Sequence, residues 1–140
     1  MPSACAERRV LILLALLCAW GASSCGQRGA CDDPAEVLTA FFENLDFGDQ
    51  ETAFGLLDKQ SRGALEKLAA ETKKRSGSVL RPHEFLVPTG ILRNRTVKGV
   101  AAKGGGKGGA SQVTVTYDDG TTAPFPMSRE GNCYKVHLEL

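Results

Sequence analysis

The apolar residues of this chain change period once along its length, and that change limits what it can build. Leu38, Phe41, Phe42 and Leu45 fall at i, i+3, i+4 and i+7, the spacing of one buried helix face. Val113, Val115 and Tyr117 alternate with Gln112, Thr114 and Thr116, the spacing of a strand buried on one side. Helices first and strands afterwards is the order of an α+β fold, here N-terminal helices packed on a curved antiparallel β-sheet.

Three helices are expected. Asp32-Asp33-Pro34-Ala35-Glu36 opens the first, with an acidic N-cap, a proline at the first turn and a glutamate within it. Gly48 ends that helix and Asp49 caps the next, in which Ala53, Leu56 and Leu57 share a side. The third begins near Ser61 and places Leu65, Leu68, Ala69 and Thr72 on one face. Its basic end, Lys73-Lys74-Arg75, suits the negative pole of the helix dipole, and Ser76-Gly77-Ser78 stops it. Pro82 is expected to start one further helical turn over His83, Glu84 and Phe85.

Strands are expected over residues 91–102, 112–117, 121–127 and 133–140. Lys103-Gly104-Gly105-Gly106-Lys107-Gly108-Gly109 is too rich in glycine for a strand and reads as a hairpin tip; without a GK[ST] ending it is no phosphate cradle. Asp119-Gly120 is a strong hairpin turn. Pro124 and Pro126 conflict with this plan, because they remove two amides from one side of a strand that two hairpins would place in mid-sheet. Either that strand bends and changes partner, or its pairing is short on one side.

Ahead of the helices, Arg8-Arg9 precedes an uncharged run, VLILLALLCAW, at residues 10–20. A bilayer span needs about 20 apolar residues, so this run reads as the core of an export signal over residues 1–24. It leads into Ala22-Ser23-Ser24-Cys25, which resembles a bacterial lipoprotein lipobox. That resemblance implies lipidation of Cys25, a short tether over residues 25–32 and a place in the bacterial cell envelope facing the periplasm. Gly26 after the cysteine leans towards the outer membrane. The alternative is ordinary secretion with cleavage nearby.

Removing Glu7, Arg8 and Arg9 with the signal leaves 15 bases and 15 acids, a balance that speaks against a nucleic-acid partner. The charge is segregated all the same. Residues 32–58 hold eight acids and no base, and residues 59–107 hold twelve bases and three acids. The favoured reading is two solvated helix faces that attract each other; the other is a basic face turned towards anionic lipid or an acidic partner. Two cysteines remain beyond Cys25. In an oxidising compartment Cys31 and Cys133 are candidates for a disulfide, and the alternative is a buried thiol in the last strand with a free one near the tether.

A resemblance covers residues 33–140. Pro34-Ala35-Glu36-Val37-Leu38 with Phe41-Phe42, Gly48-Asp49 with Ala53-Phe54 and Leu56-Leu57, and Arg129-Glu130-Gly131-Asn132-Cys133-Tyr134-Lys135-Val136 are similar to the nuclear transport factor two-like (cystatin-like) superfamily, and within it to small bacterial lipoproteins. The resemblance implies a cone-shaped roll with a pocket between sheet and helices, for which Phe41, Phe85, Tyr117, Phe125 and Tyr134 are the candidate lining. It implies a binding domain for a small apolar ligand or an envelope protein, joined to the membrane through Cys25.

The competing reading is a small enzyme of isomerase or dehydratase type. It would draw on His83, His137, Tyr117, Tyr134 or Asp118, yet no spacing brings an acid and a base together. His137 shares a strand face with Lys135 and Glu139 and is expected on the surface. No cofactor is expected: there is no CxxC pair, and two histidines 54 residues apart do not make a metal set.

Overall fold

The computed structural model describes residues 31–103 and 111–140; the expectations for the signal, for Cys25 and for the glycine-rich segment lie outside these residues. Helices α1 (Pro34–Asp46), α2 (Gln50–Gly55) and α3 (Lys59–Ser76) are followed by a 3-10 turn at Pro82–Phe85 and a short helix α4 (Pro88–Leu92). Strands β1 (Val97–Lys103), β2 (Ser111–Tyr117), β3 (Thr122–Glu130) and β4 (Cys133–Val136) then form an antiparallel meander in the order β1-β2-β3-β4. The fold is α+β, with helices followed by a curled four-stranded half-barrel.

Each of the first three helices is started by an aspartate. Asp33 accepts from the Ala35 amide at 2.8 Å, Asp49 from the Thr52 amide at 3.0 Å, and Asp58 from the Ser61 amide at 2.8 Å. The α1 face with Leu38, Phe41, Phe42 and Leu45 is buried against the sheet, where Phe42 meets Phe125 edge-on with ring centroids 5.3 Å apart. Leu57, Leu65, Val113, Val115, Met127 and Val136 complete the centre of the core. Gly77 ends α3 in the left-handed conformation, φ 73°, and returns its amide to the Lys73 carbonyl.

Four expectations are corrected. Leu68, assigned to the core face of α3, is 43% exposed while Leu65 and Ala69 are buried: that helix packs on the short Pro82–Phe85 turn, too narrow an element to cover its whole apolar face. The first strand starts at Val97 and not at residue 91, because Pro88 nucleates α4 and draws Ile91 and Leu92 into it. The third strand runs on past residue 127 to Glu130, and the last one stops at Val136, short of residue 140. Among the described residues, no lysine or arginine forms a direct ion pair with an acid of residues 32–58. The ion pairs of the basic stretch are Arg62 with Glu130, Arg75 with Glu71, Arg81 with Glu84 and Arg95 with Asp119.

The short last strand explains the two prolines. β3 pairs with β2 from Thr122 to Met127, but with β4 only from Met127 to Glu130. The final contact on the β4 side is the His137 amide donating to the Pro126 carbonyl at 3.1 Å. In an antiparallel ladder a residue's N–H and C=O point to the same side. Pro126, and Pro124 two residues earlier, therefore direct their missing amides towards the side that β4 leaves vacant. The strand changes partner part-way along. The opposite edge of β4 is closed by the chain between α2 and α3, where the Val136 amide donates to Leu56 O and the Asp58 amide to Val136 O.

Candidate functional site

Where β4 gives out beside Pro124 and Pro126, a cleft of about 560 Å³ opens. One wall is α4 and the connection after it, with Ile91, Leu92, Arg93 and Arg95; the floor is Tyr117 and Phe125. The other wall is the chain that follows β4, including His137 and Leu138. The space is the position a longer β4 would occupy. With no amides offered by the two prolines, a strand there would have nothing to accept from.

The wall after β4 is held by three hydrogen bonds. The His137 amide donates to Pro126 O, the Leu138 amide donates to Ser61 Oγ at 2.9 Å, and His137 Nδ1 lies 2.7 Å from Asp58 Oδ2. Asp58 is buried at 5% exposure, and its other oxygen caps α3. Burial pushes the Asp58 carboxyl up, but the hydrogen bonds from the Ser61 hydroxyl and amide and from His137 outweigh it and hold the group below its ordinary value. An ionised carboxylate can only accept, so His137 Nδ1 is the donor in this pair, and Nε2 makes no hydrogen bond among the described residues. His137 is thus not the surface residue expected from strand alternation. The strand has ended at Val136, and the ring is half-buried on Asp58.

Arg95 is fixed at the other side of the cleft. Its guanidinium lies over the Tyr117 ring at 5.2 Å from the centroid, donates to Thr121 Oγ1 at 3.2 Å and stands 3.6 Å from Asp119 Oδ2. The Thr121 hydroxyl and amide, and the Arg95 charge beside it, hold the Asp119 carboxyl below its ordinary value. Arg93 and Asn94 both have positive φ, 48° and 59°, a region that side-chain-bearing residues enter at a cost.

Of the five residues expected to line a pocket between sheet and helices, Tyr117 and Phe125 border this cleft. Phe41 is wholly buried in the core. Tyr134 is buried with Arg129 over its ring, and Phe85 is half-buried in the 3-10 turn; neither reaches the cleft. His83 lines a separate shallow groove with Asp49, Glu51 and Arg81. Asp118 is a turn residue that accepts from the Thr96 and Asp119 amides. The candidate acid–base residues are therefore dispersed, except that His137 and Tyr117 border one cleft. Among the described residues no group of three or more His, Cys, Asp or Glu is placed to hold a metal ion.

Cys31 and Cys133 are joined by a disulfide with their Cα atoms 4.7 Å apart, and the Tyr134 amide donates to Cys31 O at 2.8 Å. The chain ahead of α1 is in this way bound twice to the start of β4. Sequence reasoning missed Asp58, Ser61, Arg93 and Arg95. The first two carried a signal, an N-cap aspartate followed three residues later by a serine. The arginines carried none, since their positions depend on where α4 ends.

No family model matches the chain, and no curated protein or solved structure matches it.

Proposed function

We propose that this chain is a lipid-anchored protein of a bacterial envelope, held at the membrane through Cys25, whose cystatin-like domain binds a small, mainly apolar molecule without transforming it. The observation that carries the reading is the cleft beside β3, about 560 Å³ with Tyr117 and Phe125 as its floor. That volume falls within the usual range for small-molecule sites. Pro124 and Pro126 favour a small molecule over a protein partner that adds a strand, because they offer no amides to pair with it.

Native mass spectrometry tests this. The full chain with Cys25→Ala, which removes the anchor, is purified gently from cells. A species heavier than the chain by a small-molecule mass, lost in a Phe125→Asp variant, is the expected result. Bare protein that gains no mass on incubation with an apolar extract of the host envelope overturns it.

One observation favours a second reading, acid–base chemistry of the isomerase or dehydratase kind in the same cleft. It is the His137 ring in the cleft wall, oriented by Asp58. The two readings separate on His137→Gln. A binding protein releases the same molecule from that variant as from the parent, whereas an enzyme yields an unconverted precursor.

A further inference from the structure

We propose that the molecule taken by the cleft carries a carboxylate on an apolar body, with Arg93 as the residue that receives the carboxylate; this rests on the reading of the cleft as a ligand site. Arg93 and Arg95 both line it, on the wall opposite the segment after β4. They differ in what they have to do. Arg95 is committed to Tyr117, Thr121 and Asp119. Arg93 makes no ion pair among the described residues.

The backbone at Arg93 belongs to a pair of consecutive residues in the left-handed region, where side-chain-bearing residues seldom go. Such conformations persist only where the surrounding fold determines them, and they concentrate at ligand clamps. Here it ends α4 at Leu92 and sets Arg93, an exposed residue, at the border of a cleft with both polar and apolar lining.

A wholly apolar occupant that covered the Arg93 guanidinium would take water from it and return nothing, which is unfavourable. A cationic one would be repelled. A carboxylate answers the fork of N–H donors with two parallel hydrogen bonds. The other charged groups at the cleft are Glu139, which opposes an anion, and the Asp58–His137 pair. The long-range field is therefore small, and selection rests on direct contact with Arg93.

The test is a titration followed by NMR on the full chain with Cys25→Ala, using octanoate, octanol and octylammonium, which share one tail. The expected result is octanoate binding about 10-fold or more tightly than octanol, the ratio a single charge-assisted contact supplies, with octylammonium weakest. Arg93→Asn tolerates the left-handed backbone and should bring octanoate down to the octanol affinity, while Arg93→Lys retains part of the preference. Equal affinity for octanoate and octanol, or a preference unchanged in Arg93→Asn, overturns the carboxylate proposal and leaves the ligand site standing. If none of the three moves the Tyr117 or Phe125 resonances, the ligand site itself falls with it.

Discussion

His137 Nδ1 stands 2.7 Å from Asp58 Oδ2, so the chain that walls the cleft hangs from the residue that starts α3. One buried carboxylate does two jobs, capping a helix with one oxygen and holding the cleft wall with the other. Asp58→Asn keeps the cap and loses the charged bond, for an expected cost of ~1 to 3 kcal/mol at neutral pH; Asp58→Ala also removes the cap and costs ~1 kcal/mol more. Because the folded state lowers the Asp58 pKa, its contribution is fully present above the unfolded value near 3.8 and is lost as the pH falls through the lower folded value. Urea titrations should therefore show the gap between the parent and Asp58→Asn closing below about pH 4. A gap that stays constant there would mean that Asp58 does not carry its charge into the fold.

Cys31 and Cys133 close 102 residues of sequence into a loop. By the loop-entropy argument such a link stabilises by ~4 to 5 kcal/mol, a large share of what a domain of this size has in total. Reduction, or the double change to serine, should move the urea midpoint down by most of that amount. A shift below ~1 kcal/mol would show that the backbone bond from Tyr134 to Cys31 and the packing around it already hold the two ends together.

Phe41 and Leu68 offer a paired comparison, since sequence spacing treats both as core residues. Phe41 is fully buried and touches Phe42, with ring centroids 5.6 Å apart, while Leu68 is 43% exposed. Phe41→Ala should cost ~3 to 5 kcal/mol. Leu68→Ala should cost under about 1 kcal/mol. Similar losses at the two sites would put α3 in a different rotation about its axis.

That comparison shows where periodicity suffices. On α1 the apolar face meets a broad sheet, so Leu38, Phe41, Phe42 and Leu45 could be assigned from spacing alone. On α3 the element packed most extensively against it is a short 3-10 turn, and spacing says nothing about the width of what lies opposite. Alternation fails in the same way after Val136. Leu138 and Leu140 continue the pattern of a strand, but Pro124 and Pro126 leave no partner there, a tertiary fact visible in the sequence only as a conflict. The pair of Asp58 and His137 was hidden for a plainer reason: 79 residues separate them, and a loop closed by packing leaves no local trace.

The anchor proposal is tested at Cys25. A diacylglyceryl group with an N-acyl chain holds a protein stably, each buried methylene adding ~0.8 kcal/mol of membrane affinity. Cys25→Ala should shift the protein from the membrane to the soluble fraction and abolish incorporation of labelled fatty acid. Labelling and fractionation that do not change would remove the lipid from the account.

Pro124 and Pro126 supply the last prediction. They withhold two amides from the open side of β3, where unpaired strand groups would invite another chain. Changing both to valine restores the donors and adds side chains that favour strands. The cleft should then serve as a strand-pairing edge, and the variant should self-associate at concentrations where the parent does not. Sedimentation velocity over a concentration series reads this directly. If the double variant sediments as the parent does, the prolines are not what keeps that edge unpaired, and the bonds from Pro126 and Ser61 to the segment after β4 would be sufficient on their own.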